Sequence, residues 1–274
     1  MVDPAAPILI FDSGVGGLSV AAHVMRLLPG RSILYFGDSA RVPYGSKSEE
    51  TVRSYTRQAC HMLGQRGIAL IGIACNTASA VALETASSAV SVPVVGVIEP
   101  GALAAVSASK SGRIGVIGTR GTVRSGAYGT AIRRASSTAR VYSQACPLLV
   151  GLAEEGLIDH QATRLIIEEY LDPLLKQNVD TLVLGCTHYP ILRKAIASIA
   201  GPSIRLVDPG EATAGRIAEI RDEGKTVPES LPPRHHYILS DLPHRFIEVG
   251  ESFLGEPITS IEKIPLEELT AGPQ

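Results

Sequence analysis

The chain has 274 residues, a formal net charge of −2 and 45% hydrophobic side chains, enough apolar material to bury one large core or two modest ones. That charge supplies no basic field for a phosphate backbone, and no run of Lys and Arg interleaves with aromatics, so nucleic acid is excluded as the primary ligand. No stretch approaches the ~20 apolar residues that cross a bilayer. No charged segment followed by an apolar run opens the chain, and the four cysteines lack CxxC spacing, which predicts free thiols in a reducing cytoplasm.

Short β-branched and apolar runs recur, each closed by a Gly, Ser, Thr, Asn or Cys cluster and followed by helical spacing; they read as buried parallel strands. In chain order they are Ile8–Phe11, Ile33–Phe36, Ala69–Ala74, Val94–Ile98, Ile114–Ile117, Leu182–Leu184 and Ile204–Val207. Weaker candidates lie at Val141–Ser143, Tyr237–Leu239 and Thr259–Ile264. This alternation predicts an α/β fold of βαβ units with right-handed crossovers. Between the strands, Ser46 and Glu49 form a candidate capping box, and Gly67 is placed to end the helix that follows. Pro173 is expected to kink or interrupt a helix from about Gln161 to Lys176.

The chain also resembles itself. Ile8–Gly14 is similar to Ile114–Arg120, and Ile71–Thr77 to Leu182–His188; Ser13 and Thr119 are 106 residues apart, Cys75 and Cys186 111. Two matches in one order at nearly one offset predict two pseudo-symmetric lobes, each a mainly parallel sheet flanked by helices, with an active site in the cleft between them. The expected division is 1–98 plus 209–274 for the first lobe and 99–208 for the second.

In open parallel sheets ligands bind beyond the carboxyl ends of the strands. Five strand-end clusters qualify: Asp12–Gly17, Asp38–Ser46, Cys75–Thr77, Thr119–Thr122 and Cys186–Pro190. Each cysteine sits between a strand and a helix start, where free N–H groups favour a thiolate or a substrate carboxylate. The competing reading makes both cysteines small buried hydrophobes. Across a pseudo-two-fold cleft, however, two equivalent thiols flank one ligand, and inversion at a carbon needs one group to remove a proton while another delivers one from the opposite face. Asp12 and His188 are candidates for tuning the thiols, with helix capping and space filling as their alternatives.

Other features carry less. Gly14–Gly17 lacks the lysine of a phosphate-binding loop and does not fit GxGxxG in register. Cys186 and His188 have no further ligands to complete a metal site, so no metal is expected. Cys60 and Cys146 read as structural, and His235 and His236 as surface residues.

Taken together, FDSGVGGLSV, YFGDSARVPYGSKS, ACNTAS, VIEPGA, CPLLVGLAEEG, LGCTHYPIL and LVDPGEATA resemble the characteristic segments of the bacterial glutamate racemases, in order from residue 11 to residue 214. The resemblance implies cofactor-independent interconversion of L- and D-glutamate, supplying D-glutamate for peptidoglycan, by a protein that is a homodimer. It further implies that Cys75 removes the α-proton of D-glutamate and Cys186 that of L-glutamate, with Asp12, Glu154 and His188 as auxiliary acid–base groups. Substrate contacts would come from Asp12, Ser13, Tyr44, Gly45, Asn76, Thr77, Thr119, Thr122, Thr187 and His188. Glu155 adjoins Glu154 and competes for its role, and Gly151 stands where the family commonly has a proline. A racemase of aspartate, another amino acid or a hydantoin, and a non-catalytic small-ligand-binding protein, are the alternative readings.

Overall fold

The computed structural model describes residues 6–222 and 233–270. Among the described residues ten strands form: β1 (Ile8–Asp12), β2 (Ile33–Gly37), β3 (Leu70–Ile73), β4 (Val94–Gly96), β5 (Arg113–Gly118), β6 (Arg140–Ala145), β7 (Thr181–Gly185), β8 (Arg205–Val207), β9 (His236–Leu239) and β10 (Ile261–Lys263). They make two wholly parallel sheets, ordered β10-β9-β2-β1-β3-β4 and β6-β5-β7-β8. The four-strand order of the second sheet repeats β2-β1-β3-β4 of the first. The self-similar segments therefore occupy equivalent strands, β1 with β5 and β3 with β7.

Central strands are continuous apolar runs because both faces are covered. Along β1 the side chains alternate: Ile8 and Ile10 join a core with Leu18, Val24 and Ile217, while Leu9 and Phe11 join another with Val52, Leu63 and Ile73. A third core, with Ile114, Val116 and Val183, lies on one face of the second sheet. Among the described residues no helix is long and apolar enough to cross a membrane.

Several local expectations need correction. Ser48, not Ser46, caps helix Glu49–Gly64, accepting from Thr51 N–H at 3.2 Å, because Ser46 is held in the turn Tyr44–Ser46 that docks at the site. That helix ends at Gly64, and Gly67 takes its positive φ of 65° in the connection beyond. The strand expected over Val94–Ile98 stops at Gly96, where Val97 N–H turns to Ser79 Oγ at 3.2 Å and Ile98 opens helix Ile98–Ala108. Pro173 does not interrupt helix Gln161–Leu175, since it sits in the last turn. His236 is no loose surface residue: it lies in β9, half-buried between Ser260 Oγ at 2.8 Å and Glu262 at 2.9 Å.

Candidate active site

In each sheet the chain leaves the central pair of strands in opposite directions, and the carboxyl ends of that pair flank a switch-point crevice. In the first sheet Phe11 pairs with Ile73, which brings the following residues, Asp12–Ser13 and Ala74–Cys75, side by side. In the second, Gly118 pairs with Gly185, which brings Thr119 beside Cys186. The two crevices share one cavity of about 270 Å³ lined by Ser13, Tyr44, Gly45, Cys75, Asn76, Thr77, Thr119, Glu154, Cys186, Thr187 and His188. Its size is at or below the small end of ligand pockets, ~300–1,000 Å³. Two expected residues are absent from that wall. Asp12 is wholly buried beneath it, and Thr122 lies behind Thr77 and Thr119, 3.3 and 3.0 Å from their hydroxyls.

The two thiols stand in different surroundings. Cys75 caps helix Asn76–Val81, its sulfur accepting from Ala78 N–H at 3.5 Å while the thiol donates to Ser13 Oγ at 3.4 Å. Burial, reinforced by the negative charge of Asp12, pushes its pKa up to about 12, so it holds its proton at neutral pH. Beside Cys186 stands His188, whose Nδ1 is 3.8 Å from the sulfur and whose Nε2 is 2.9 Å from Glu154 Oε1. Burial alone would lower the pKa of this imidazole. Its bonds to Cys186 and Glu154 outweigh that cost and hold it up to about 10, so both ring nitrogens donate at neutral pH.

Asp12 links the two sides. Burial raises its pKa, while the positive charge of His188 and the N–H groups of Gly14, Gly17 and Ser13 pull it back; Gly14 N–H reaches Oδ2 at 3.0 Å. The glycine loop makes this packing possible: a Cβ at Gly17 would stand 2.3 Å from Asp12 Cβ, and one at Gly16 2.7 Å from His188 Nδ1. The loop is tight because it holds two ionisable side chains. The adjacent carboxylates also separate, Glu154 meeting His188 and Glu155 pairing with Arg245 at 3.2 Å on the surface.

Supporting contacts surround the cavity, some of them between the lobes. Thr77 Oγ1 lies 2.9 Å from Thr119 Oγ1, and Tyr128 OH donates to Asn76 Oδ1 at 2.7 Å. Tyr44 donates to Asp38, which also accepts from Arg41 Nε at 2.7 Å and Ser240 Oγ at 2.8 Å. The His188 ring meets Phe253 edge-on, with centroids 5.6 Å apart. Sequence reasoning missed Tyr128 and Phe253, since neither adjoins a strand end and only tertiary packing brings them here. It also missed Arg120 on the cavity wall, although Arg120 stands next to Thr119 in a cluster it had marked.

The chain matches the Asp/Glu/Hydantoin racemase family over residues 17–217. It is 49% identical to a glutamate racemase of Geobacter metallireducens, with 96% of this chain and 98% of the relative aligned. To a glutamate racemase of Chlorobaculum tepidum it is 50% identical, over 96% and 97% of the two chains. The structure of glutamate racemase from Francisella tularensis in complex with D-glutamate superposes with a TM-score of 0.91 at 35% identity, covering 97% of this chain and 99% of that one. That from Thermus thermophilus, in complex with beta-chloro-D-alanine, gives 0.87 at 39%, covering 97% and 99%. Two thiols at equivalent strand ends, matching sheets and this likeness along nearly the whole chain place the protein in the Asp/Glu/hydantoin racemase family, among its glutamate racemases.

Proposed function

We propose that the protein interconverts L- and D-glutamate without a cofactor, by proton transfer between Cα and two thiols on its opposite faces, and so supplies D-glutamate for peptidoglycan in the cytoplasm. The observation that carries this reading is the pair Cys75 and Cys186 on one small cavity, at equivalent ends of two sheets with the same strand order. The names of the relatives, and the D-glutamate bound by the Francisella tularensis enzyme, support glutamate as the substrate.

From L-glutamate, Cys186 takes the α-proton and Cys75 delivers its own to the other face; from D-glutamate the roles reverse. The high pKa of Cys75 keeps it loaded as the donor for the first direction. A carbanion at Cα is far more basic than a thiolate, so even this reluctant acid gives up its proton. His188, oriented by Glu154, provides a positive donor at Cys186, and Asp12 acts from beneath the floor. Asn76, Thr77 and Thr187 offer fixed donors to the α-carboxylate, onto which the carbanion delocalises. Ser13, Tyr44, Gly45 and Thr119 complete the contacts, and Thr122 braces Thr77 and Thr119. The sheets support the proposed lobes, 1–98 plus 209–274 and 99–208, and we assign the solution state as a homodimer from the resemblance.

The test is isotopic. In D₂O the wild-type protein should place solvent deuterium at Cα of glutamate, and Cys75→Ala and Cys186→Ala should each abolish racemisation. Full turnover by both variants sinks the two-thiol mechanism; faster turnover of aspartate than of glutamate moves the substrate assignment. A ligand-binding protein would instead bind glutamate equally well in all three forms and exchange no α-proton.

A further inference from the structure

We infer that Arg120 forms a cationic rim at the cavity mouth that draws in amino acids carrying a second carboxylate. The inference rests on the glutamate reading above and addresses how a site built from hydroxyls and amides favours a net anion. Among the described residues Arg120 is the one Lys or Arg on the cavity wall. It is exposed at the start of helix Arg120–Ser125, directly after Thr119.

A contact between the lobes lies next to Arg120. Lys47 directly follows the cavity-lining turn Tyr44–Ser46, and Arg124, one helical turn beyond Arg120, donates to the Lys47 carbonyl oxygen at 3.3 Å. Among the described residues Arg120 itself forms no ion pair. Glu154, the carboxylate on the cavity wall, is already engaged by His188 at 2.9 Å. Of these two charges on the cavity wall, the one without an ion-pair partner is therefore the positive charge of Arg120.

A cleft between low-dielectric walls focuses such a field and raises the local concentration of an oppositely charged solute. Glutamate at neutral pH carries two carboxylates and one ammonium, so the rim attracts it, whereas a neutral amino acid feels no net pull. Aspartate has the same charge. The rim consequently selects dicarboxylic amino acids as a class and leaves the choice between the two to the length of the cavity.

Removing one exposed charge that lies within a Debye length of a bound monoanion should raise KM about 2- to 5-fold at low ionic strength, and 1 M salt should screen nearly all of that difference. The experiment measures KM and kcat for glutamate in R120Q, R120E and R120K from low salt to 1 M. The expected result is a higher KM in R120Q, a larger rise in R120E, a shallower dependence of KM on salt in R120Q, and wild-type behaviour in R120K. An R120Q variant with wild-type KM and salt dependence overturns the rim. So does an R120K as impaired as R120Q, which would make the guanidinium shape rather than its charge the cause, or a loss confined to kcat. If the wild-type protein itself fails to racemise glutamate, the functional reading falls instead.

Discussion

The role proposed for His188 and Glu154 beside Cys186 makes a quantitative prediction for Glu154→Gln. Gln keeps an acceptor within reach of His188 Nε2 and removes only the charge from a contact of 2.9 Å. Bonded to protonated His188, Gln still makes a charge-assisted hydrogen bond, so what is lost is the attraction between two opposite charges, roughly 1 kcal/mol for a contact at the surface. The Glu154 side chain is 37% exposed, so solvent screening trims that figure. At 1.36 kcal/mol per pKa unit, His188 should fall by about half a unit to one unit from its wild-type value of about 10. Protonated His188 is the active form in the proposed mechanism, so activity is lost as pH rises through its pKa, and the basic limb of kcat should move down by the same amount. Titration of the substrate ammonium is common to both proteins and cancels in the comparison. Stability follows the same sign. A His raised above its unfolded pKa of ~6.5 stabilises the fold fully below that pH and loses the contribution as pH rises through about 10, and the variant has less to lose. Polarimetric rates from pH 7 upward, with ¹⁵N titration of the His188 ring, check this; coincident limbs and an unchanged ring titration would refute that role.

Gly17→Ala drives a methyl to 2.3 Å from Asp12 Cβ and 2.8 Å from its Cγ, with buried backbone on both sides. Overpacking of that kind costs about 1–3 kcal/mol; a denaturant midpoint equal to wild type would show that the loop relaxes freely. The homodimer assigned from the resemblance predicts a sedimentation-equilibrium mass twice the 28.8 kDa of the chain, and a monomer at micromolar concentration removes that assignment.

What the sequence discloses depends on how each residue is constrained. β1, β2, β3 and β7 are buried along their whole length, so their composition is nearly free of polar residues and they read plainly. β6 and β10 are sheet edges, half-buried at best, and their signals fade accordingly. The paired thiols were legible because the repeat preserves a strand, a sharp exit and a cysteine twice. Glu154 could be preferred to Glu155 only by the family's spacing from Cys146, since the chemistry of the two is the same and tertiary packing is what sends one to His188 and the other to Arg245. Phe253 reaches His188 from helix Phe246–Leu254, in a segment that offers no local cue to the site. Ser48 displaced Ser46 as a cap because the site, rather than the helix, fixes the turn before it.

The backbone repeats, and the side chains break the repetition. Thr77 stands where the second sheet has His188, and Gly118 where the first has Asp12. One thiol therefore faces a hydroxyl and an amide, the other a charged imidazole and a carboxylate. Two enantiomers of equal free energy oblige kcat/KM to be equal in both directions, whatever the residues around each thiol. The asymmetry can act only on which protonation state of the enzyme waits between turnovers. Under the proposed assignment of the thiols, a Cys75 held as a thiol leaves the enzyme poised for L-glutamate, and D-glutamate would require the proton on Cys75 to be moved first. The difference must then surface as unequal kcat and KM for the two enantiomers that compensate in their ratio. In the proposed mechanism His188, 3.8 Å from Cys186, and Asp12, whose charge bears on Cys75 and is itself offset by that of His188, are the groups through which that proton would be reset.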